Sequence, residues 1–146
     1  MKIFIYYSLS GNGDKIANIL MQKGIDIRKV LLEKEMPKSK SGSILKGGFL
    51  ASINYKMKLK DFNNDINSFD EVIIGSPIWN SRLACPINTV LSELDLTNKK
   101  VTFILYSGSG KDNKAMDKIK KNYPHADIIN LQEPLKYDFS DKLNNL

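Results

Sequence analysis

At 146 residues, with 42% hydrophobic and 26% charged residues, the chain has the makings of one globular domain with its own core and no room for two full ones. No apolar run approaches the roughly 20 residues that a membrane span needs. Met1 to Ser10 lacks the basic, apolar and small-residue order of a signal peptide, so a cytoplasmic protein with no membrane role is expected. The single cysteine, Cys85, excludes an internal disulfide, and one histidine, His125, leaves no spaced His/Cys set for a structural zinc site.

The formal net charge of +6 is concentrated: Lys34 to Lys60 holds seven lysines against one glutamate, and the rest of the chain is neutral overall. Basic charge suits a nucleic acid, a membrane surface or an acidic partner. Without interleaved aromatics or arginines, no nucleic-acid partner is expected, and a solvated lysine-rich surface is the simpler reading.

Lys2 to Tyr7 (KIFIYY) is a nearly continuous apolar run of β-formers, the pattern of a first strand covered on both faces. The polar stretch Ser8-Leu9-Ser10-Gly11-Asn12-Gly13 follows, and then Asp14 to Lys23 places Ile16, Ala17, Leu20 and Met21 on one helical face. Gly24 ends that helix, and Ile25 to Leu32 is a second strand. From Met36 to Leu59, proline, serine and glycine interrupt the apolar residues, which predicts a long excursion with one irregular helix around Ile44 to Ile53. Phe69 to Ser76 is a third strand, with Pro77-Ile78-Trp79-Asn80-Ser81 as the loop beyond its end. Pro86 suits a helix start, and Ile87, Val90, Leu91 and Leu94 continue at helical spacing. Val101 to Tyr106 is a fourth strand, followed by Ser107-Gly108-Ser109-Gly110 and a Lys-rich helix carrying Ala115, Met116 and Ile119, which Pro124 closes. Asp127 to Leu131 is a fifth strand, and Asp138 to Leu146 forms at most a short terminal helix. Strands separated by helical stretches predict an α/β fold, a parallel sheet with right-handed crossovers and helices on both faces.

In such sheets ligands bind outside the carboxyl ends of the strands, near the point where strand order reverses. The loops after strands one, three and four open on that edge. The first leads directly into a helix, so its amides and the positive helix end suit an anion, with Ser8, Ser10 and Asn12 adding side-chain hydrogen bonds. It contains no lysine or arginine, is not the Lys-containing P-loop, and lacks the three-glycine dinucleotide fingerprint. The second places Trp79, the only tryptophan, past a strand end, where it suits stacking on a planar ring. The third, SGSG, offers unhindered backbone groups to the edge of a heterocycle.

Together these residues resemble the flavodoxin family over nearly the whole chain. Ser8 to Gly13 looks like its phosphate loop, GSPIW like its second loop with a flavin-stacking aromatic, and YSGSG like its third. The resemblance implies a doubly wound five-stranded parallel sheet in the order 2-1-3-4-5, one noncovalently bound FMN, and electron transfer with redox partner proteins. It implies that Ser8, Ser10, Gly11, Asn12 and Gly13 bind the phosphate; that Pro77, Ile78, Trp79 and Asn80 flank the ring; and that Ser107, Gly108, Ser109 and Gly110 contact its pyrimidine side. Gly13 departs from the threonine common in the family, and a second ring-flanking aromatic is missing unless Tyr106 or the excursion supplies one. The basic charge departs from the family's acidic character and predicts a less negative reduction potential if lysines lie near the ring.

An FMN-dependent NAD(P)H or quinone reductase is the alternative, and a flavin-free interaction domain on the same scaffold the second alternative. A phosphoacceptor receiver domain is excluded, because Tyr7-Ser8 and Gly75-Ser76 stand where it needs acidic residues. Cys85, before Pro86, reads as a small buried apolar residue, and His125 as an exposed turn residue.

Overall fold

The computed structural model describes residues 1–36 and 55–146; the irregular helix expected around Ile44 to Ile53 lies outside them. The elements run β1 (Lys2–Tyr6), α1 (Asn12–Gln22), β2 (Asp26–Lys29), β3 (Glu71–Trp79), β4 (Arg82–Leu83), α2 (Cys85–Glu93), β5 (Lys100–Ser107), α3 (Asn113–Asn122) and β6 (Asp127–Gln132), then a 3-10 turn at Ser140–Leu143. Five strands pair in parallel in the order β2-β1-β3-β5-β6, and β4 folds back on β3 as an antiparallel appendage. This is the doubly wound order anticipated from the sequence, with one short extra strand between the third and fourth parallel ones.

The central strands are apolar throughout because both of their faces are covered. Alternate residues of β1 divide between two clusters. Ile3 and Ile5 join Val72, Ile74, Phe103 and Leu105 under α2 and α3, whose Ile87, Val90 and Ile119 close that side. Phe4 and Tyr6 join Ile73, Ile104 and Tyr106 under α1, through Ile16, Ala17 and Leu20. Phe139, just before the 3-10 turn, and Leu143 within it complete this second cluster, so a single turn and its entry do the covering work of a terminal helix. Each fully buried Ile or Leu contributes about 1.5–3 kcal/mol by leaving water. Among the described residues no helix is long and apolar enough to cross a membrane.

Two boundaries differ from the sequence reading for clear reasons. β3 runs three residues past Ser76, because Asn80 and Ser81 both adopt positive φ (48° and 55°) and make a two-residue hairpin turn that lets Arg82 and Leu83 pair back with Trp79 and Ile78. Pro77, Ile78 and Trp79 are thus strand residues rather than loop residues. β2 stops at Lys29, and the chain then turns so that Glu33 N–H donates to the Lys58 carbonyl (3.2 Å) and Lys60 N–H to that of Leu31 (2.9 Å). The two ends of the excursion are therefore stitched together beside the sheet edge.

Four lysines outside the 34–60 stretch have a structural use. Lys99 Nζ donates to the carbonyls of Phe69 (2.7 Å), Ile66 (3.2 Å) and Asn67 (3.4 Å), closing the turn that enters β3. Lys23 and Lys142 tie the C-terminal segment through the carbonyls of Leu143 and Asn130, and Lys118 holds the hairpin through Ser81 O at 2.9 Å. Replacing Lys99 by Met leaves those carbonyls without their charged donor and should destabilise the fold by about 1–2 kcal/mol. Urea unfolding measures this, and an unchanged midpoint would remove Lys99 from this role.

Candidate functional site

Three connections meet at the carboxyl edge of β1, β3 and β5 around a cleft of ≈ 1050 Å³. It lies at the β1/β3 switch point, where such sheets bind ligands.

The first connection is shaped by a close approach. Tyr106, buried near the end of β5, donates its hydroxyl to the Tyr7 carbonyl and so sits directly beneath the loop. A Cβ on Gly13 would lie 2.8 Å from the Tyr106 hydroxyl oxygen, 2.8 Å from Tyr6 Cδ2 and 3.0 Å from Ser8 Cβ. The threonine common at this place in the family has no room here, and the departure seen in the sequence is the counterpart of Tyr106. Gly11 makes the turn into α1 with φ +92°, a conformation that a side chain would strain. Ser8 Oγ accepts the amides of Gly11 and Gly13, each at 3.1 Å, and thereby caps the helix from outside it. Asn12 joins the loop to the segment beyond β6: its Oδ1 accepts Leu135 N–H (2.9 Å) and its Nδ2 donates to Ser10 Oγ (3.1 Å).

Asp14 stands in the first turn of α1, where a negative charge meets the positive helix end. Tyr6 donates its hydroxyl to Asp14 Oδ1 at 2.8 Å, and Lys29 Nζ lies 2.7 Å from the same oxygen. Burial works to raise the Asp14 carboxyl, but the hydrogen bonds from Lys29 and Tyr6, the Lys29 charge and a hydrogen bond from Ser8 outweigh it and hold the group below its ordinary 3.8. Tyr6 is pushed up by burial and by Asp14, and Tyr7 up to about 12 by burial and the Glu35 charge, so both hydroxyls keep their protons at neutral pH.

Trp79 reaches the cleft from the end of β3 and meets Tyr7 edge-on, with ring centroids 5.8 Å apart and an interplanar angle of 87°. Ser76 Oγ accepts Ala84 N–H (3.0 Å) and Ser81 Oγ donates to Asp112 Oδ2 (2.8 Å), so the hairpin carrying Trp79 is braced on both sides. In the third connection Ser107 Oγ accepts Gly110 N–H (3.2 Å) and Gln132 Nε2 donates to the Gly108 carbonyl (3.1 Å).

Of the residues singled out in the sequence, Ser8, Ser10, Asn12, Pro77, Ile78, Trp79, Ser107 and Gly108 line the cleft together. Gly11 and Gly13 shape its floor without lining it, Asn80 turns the hairpin in solvent, and Ser109 and Gly110 close the third turn outside the lining. Tyr106 also lines the cleft, with its hydroxyl buried under the loop. The wall formed by Lys29 to Glu33, Glu35 and Met36, together with Tyr7, Leu9, Lys60 and Glu133, was missed. Its signal was the strand order itself: with β2 beside β1, the exit of β2 opens on the same edge as the first loop. Two lysines, Lys29 and Lys60, and three glutamates, Glu33, Glu35 and Glu133, line the cleft, so the basic excess of the 34–60 stretch is not reproduced among the described lining residues. Cys85 is fully buried at the start of α2 and its thiol is pushed up to about 11 by burial, the behaviour of a packing residue.

Order, cleft and loops together define a flavodoxin-like α/β protein. The chain matches the flavodoxin family model over residues 2–135, and it belongs to that family. No curated protein matches it in sequence. Among solved structures it is similar to a flavoprotein from Lactobacillus acidophilus crystallised in complex with FMN (21% identity, 88% of this chain and 89% of that one, TM-score 0.69). It is also similar to proteins described as flavoproteins from Bacteroides uniformis (19%, covering 87% and 85%, TM-score 0.72) and Bacteroides eggerthii (20%, 87% and 83%, 0.70). At these identities the likeness is one of fold.

Gly13→Thr should cost about 1–3 kcal/mol through overpacking against Tyr106 and Tyr6, and adding Tyr106→Phe should recover part of that loss in thermal melts. A Gly13→Thr protein as stable as the wild type would contradict the close approach. Because the Asp14 carboxyl is lowered on folding from 3.8, its contribution is complete above that pH and is lost as the pH falls through the folded value. The stability gap between wild type and Asp14→Asn should therefore be constant near neutrality and close in acid; a gap that persists after protonation would place its origin elsewhere.

Proposed function

We propose that this chain binds one FMN in the cleft and passes electrons through it to and from separate redox proteins. The convergence of three connections on one cleft at the switch point, with the sole tryptophan in its wall, carries this reading. Membership of the flavodoxin family and the FMN held by the Lactobacillus acidophilus relative support it. Bound FMN supplies a centre that takes up and returns electrons one or two at a time.

The chain's own residues fit the two ends of that molecule. Ser8, Ser10 and Asn12, with the start of α1, would hold the phosphate, while Gly11 and Gly13 let the backbone take the shape this requires. Pro77, Ile78 and Trp79 would flank the ring, and Ser107 and Gly108 would meet its polar edge. Asn80, Ser109 and Gly110 support these segments as turn residues. Ser8 Oγ holds the amides of Gly11 and Gly13 in the shape of the helix entry, and a bound phosphate would take these amides over from it.

Titrating the apoprotein with FMN while following tryptophan fluorescence tests the reading. Saturable one-to-one binding with strong quenching is expected, and Trp79→Ala should weaken binding by about tenfold, the scale of one aromatic stacking contact. An absence of binding at tens of micromolar FMN would leave a flavin-free interaction domain instead. NADPH oxidation by the loaded protein alone, faster with an added quinone, would make it a reductase rather than a carrier.

A further inference from the structure

The first loop contains no cation, yet the fold delivers one beside it. The parallel register of β1 and β2 places Lys29 opposite Tyr6, and α1, returning over that pair, sets Asp14 against both. Lys29 Nζ and the Tyr6 hydroxyl converge on a single carboxylate oxygen, at 2.7 and 2.8 Å. The side chain of Lys29 is 43% exposed and lines the same cleft as Ser8, Ser10 and Asn12.

Asp14 creates a conflict at this place. A carboxylate in the first turn stabilises the helix, but it claims the positive helix end that an incoming anion needs and repels a dianion bound at the preceding loop. Gly13, whose amide belongs to that loop, is its immediate neighbour. Tyr6 and Ser8 hydrogen bonds disperse the charge without cancelling it; Lys29 cancels it.

We propose that Lys29 determines the preference for a phosphorylated flavin by neutralising Asp14, so that a phosphomonoester dianion is accepted at an acidic helix start. Lys29 is a positioning residue in this account, acting on the ligand through Asp14. The proposal rests on the FMN reading above.

The test is a set of fluorescence titrations with FMN and with riboflavin, which lacks the phosphate, at low ionic strength. The wild type is compared with Lys29→Gln, Lys29→Arg, Asp14→Asn and the Lys29→Gln/Asp14→Asn double variant, with thermal melts establishing that each is folded. Lys29→Gln should weaken FMN binding about tenfold, the size of one uncompensated charge acting across the loop, and leave riboflavin binding unchanged. Lys29→Arg should keep FMN affinity, and Asp14→Asn alone should tighten it. The double variant should return to near the wild-type value, and added salt should shrink the defect of Lys29→Gln.

Equal losses for FMN and riboflavin in Lys29→Gln would overturn the proposal in favour of a purely structural lysine. A double variant as weak as Lys29→Gln would also overturn it, because Lys29 would then be touching the phosphate itself. A wild type that binds neither flavin would overturn the FMN reading and this proposal together, whereas tight wild-type FMN binding unaffected by Lys29→Gln would overturn this proposal alone.

Discussion

The close packing of α1 onto the ends of β1 and β5 is the constraint on which the geometry of the site depends. Position 13 carries no side chain, so the start of the helix settles against Tyr6 and the Tyr106 hydroxyl, which in turn holds the Tyr7 carbonyl. That contact sets where the first loop ends and how the helix axis leaves the sheet. It brings Asp14 over β2, where Lys29 meets it, and it leaves Tyr7 on the opposite face, edge-on to Trp79. A wider approach at this point would move the anion end and the aromatic end of the cleft relative to each other. The enclosed Tyr106 hydroxyl is satisfied by a backbone carbonyl, which makes a polar group affordable in so tight a place.

The cleft separates two kinds of chemistry along one sheet edge. At one end are the hydroxyls of Ser8 and Ser10 and the amide side chain of Asn12 at the start of α1. At the other are the Trp79 and Tyr7 rings, with Ile78 and Leu32 beside them in the lining. The same strands that make this edge polar are apolar along their buried lengths, so the change from core to site occurs within one or two residues of Tyr6, Ser76 and Tyr106. Lysines elsewhere act locally, as donors to backbone carbonyls at turns and chain ends.

The parallel order, the helices on both faces and the three connections were legible because strands buried on both faces read as unbroken apolar runs, and the helices as 3.6-residue repeats. Hairpin β3–β4 was not legible, since Asn80-Ser81 is a weaker turn signal than Asn-Gly and the strand simply continues through Pro77. Of the site, the residues adjacent in sequence to a strand end were found. The Lys29–Asp14–Tyr6 cluster was not, because it arises only when the β1–β2 register and the path of α1 are both known. The reason for glycine at position 13 was not legible either, because Tyr106, 93 residues further along, supplies it.

The most direct test of the account is a two-dimensional amide NMR titration of the 15N-labelled chain with FMN. The largest shifts should fall on the amides of Ser8 to Gly13, the Trp79 indole N–H and the amides of Ser107 and Gly108, saturating together at one equivalent. Shifts centred instead on the groove between α2 and α3, around Asn88 and Lys118, or an unperturbed spectrum, would contradict it.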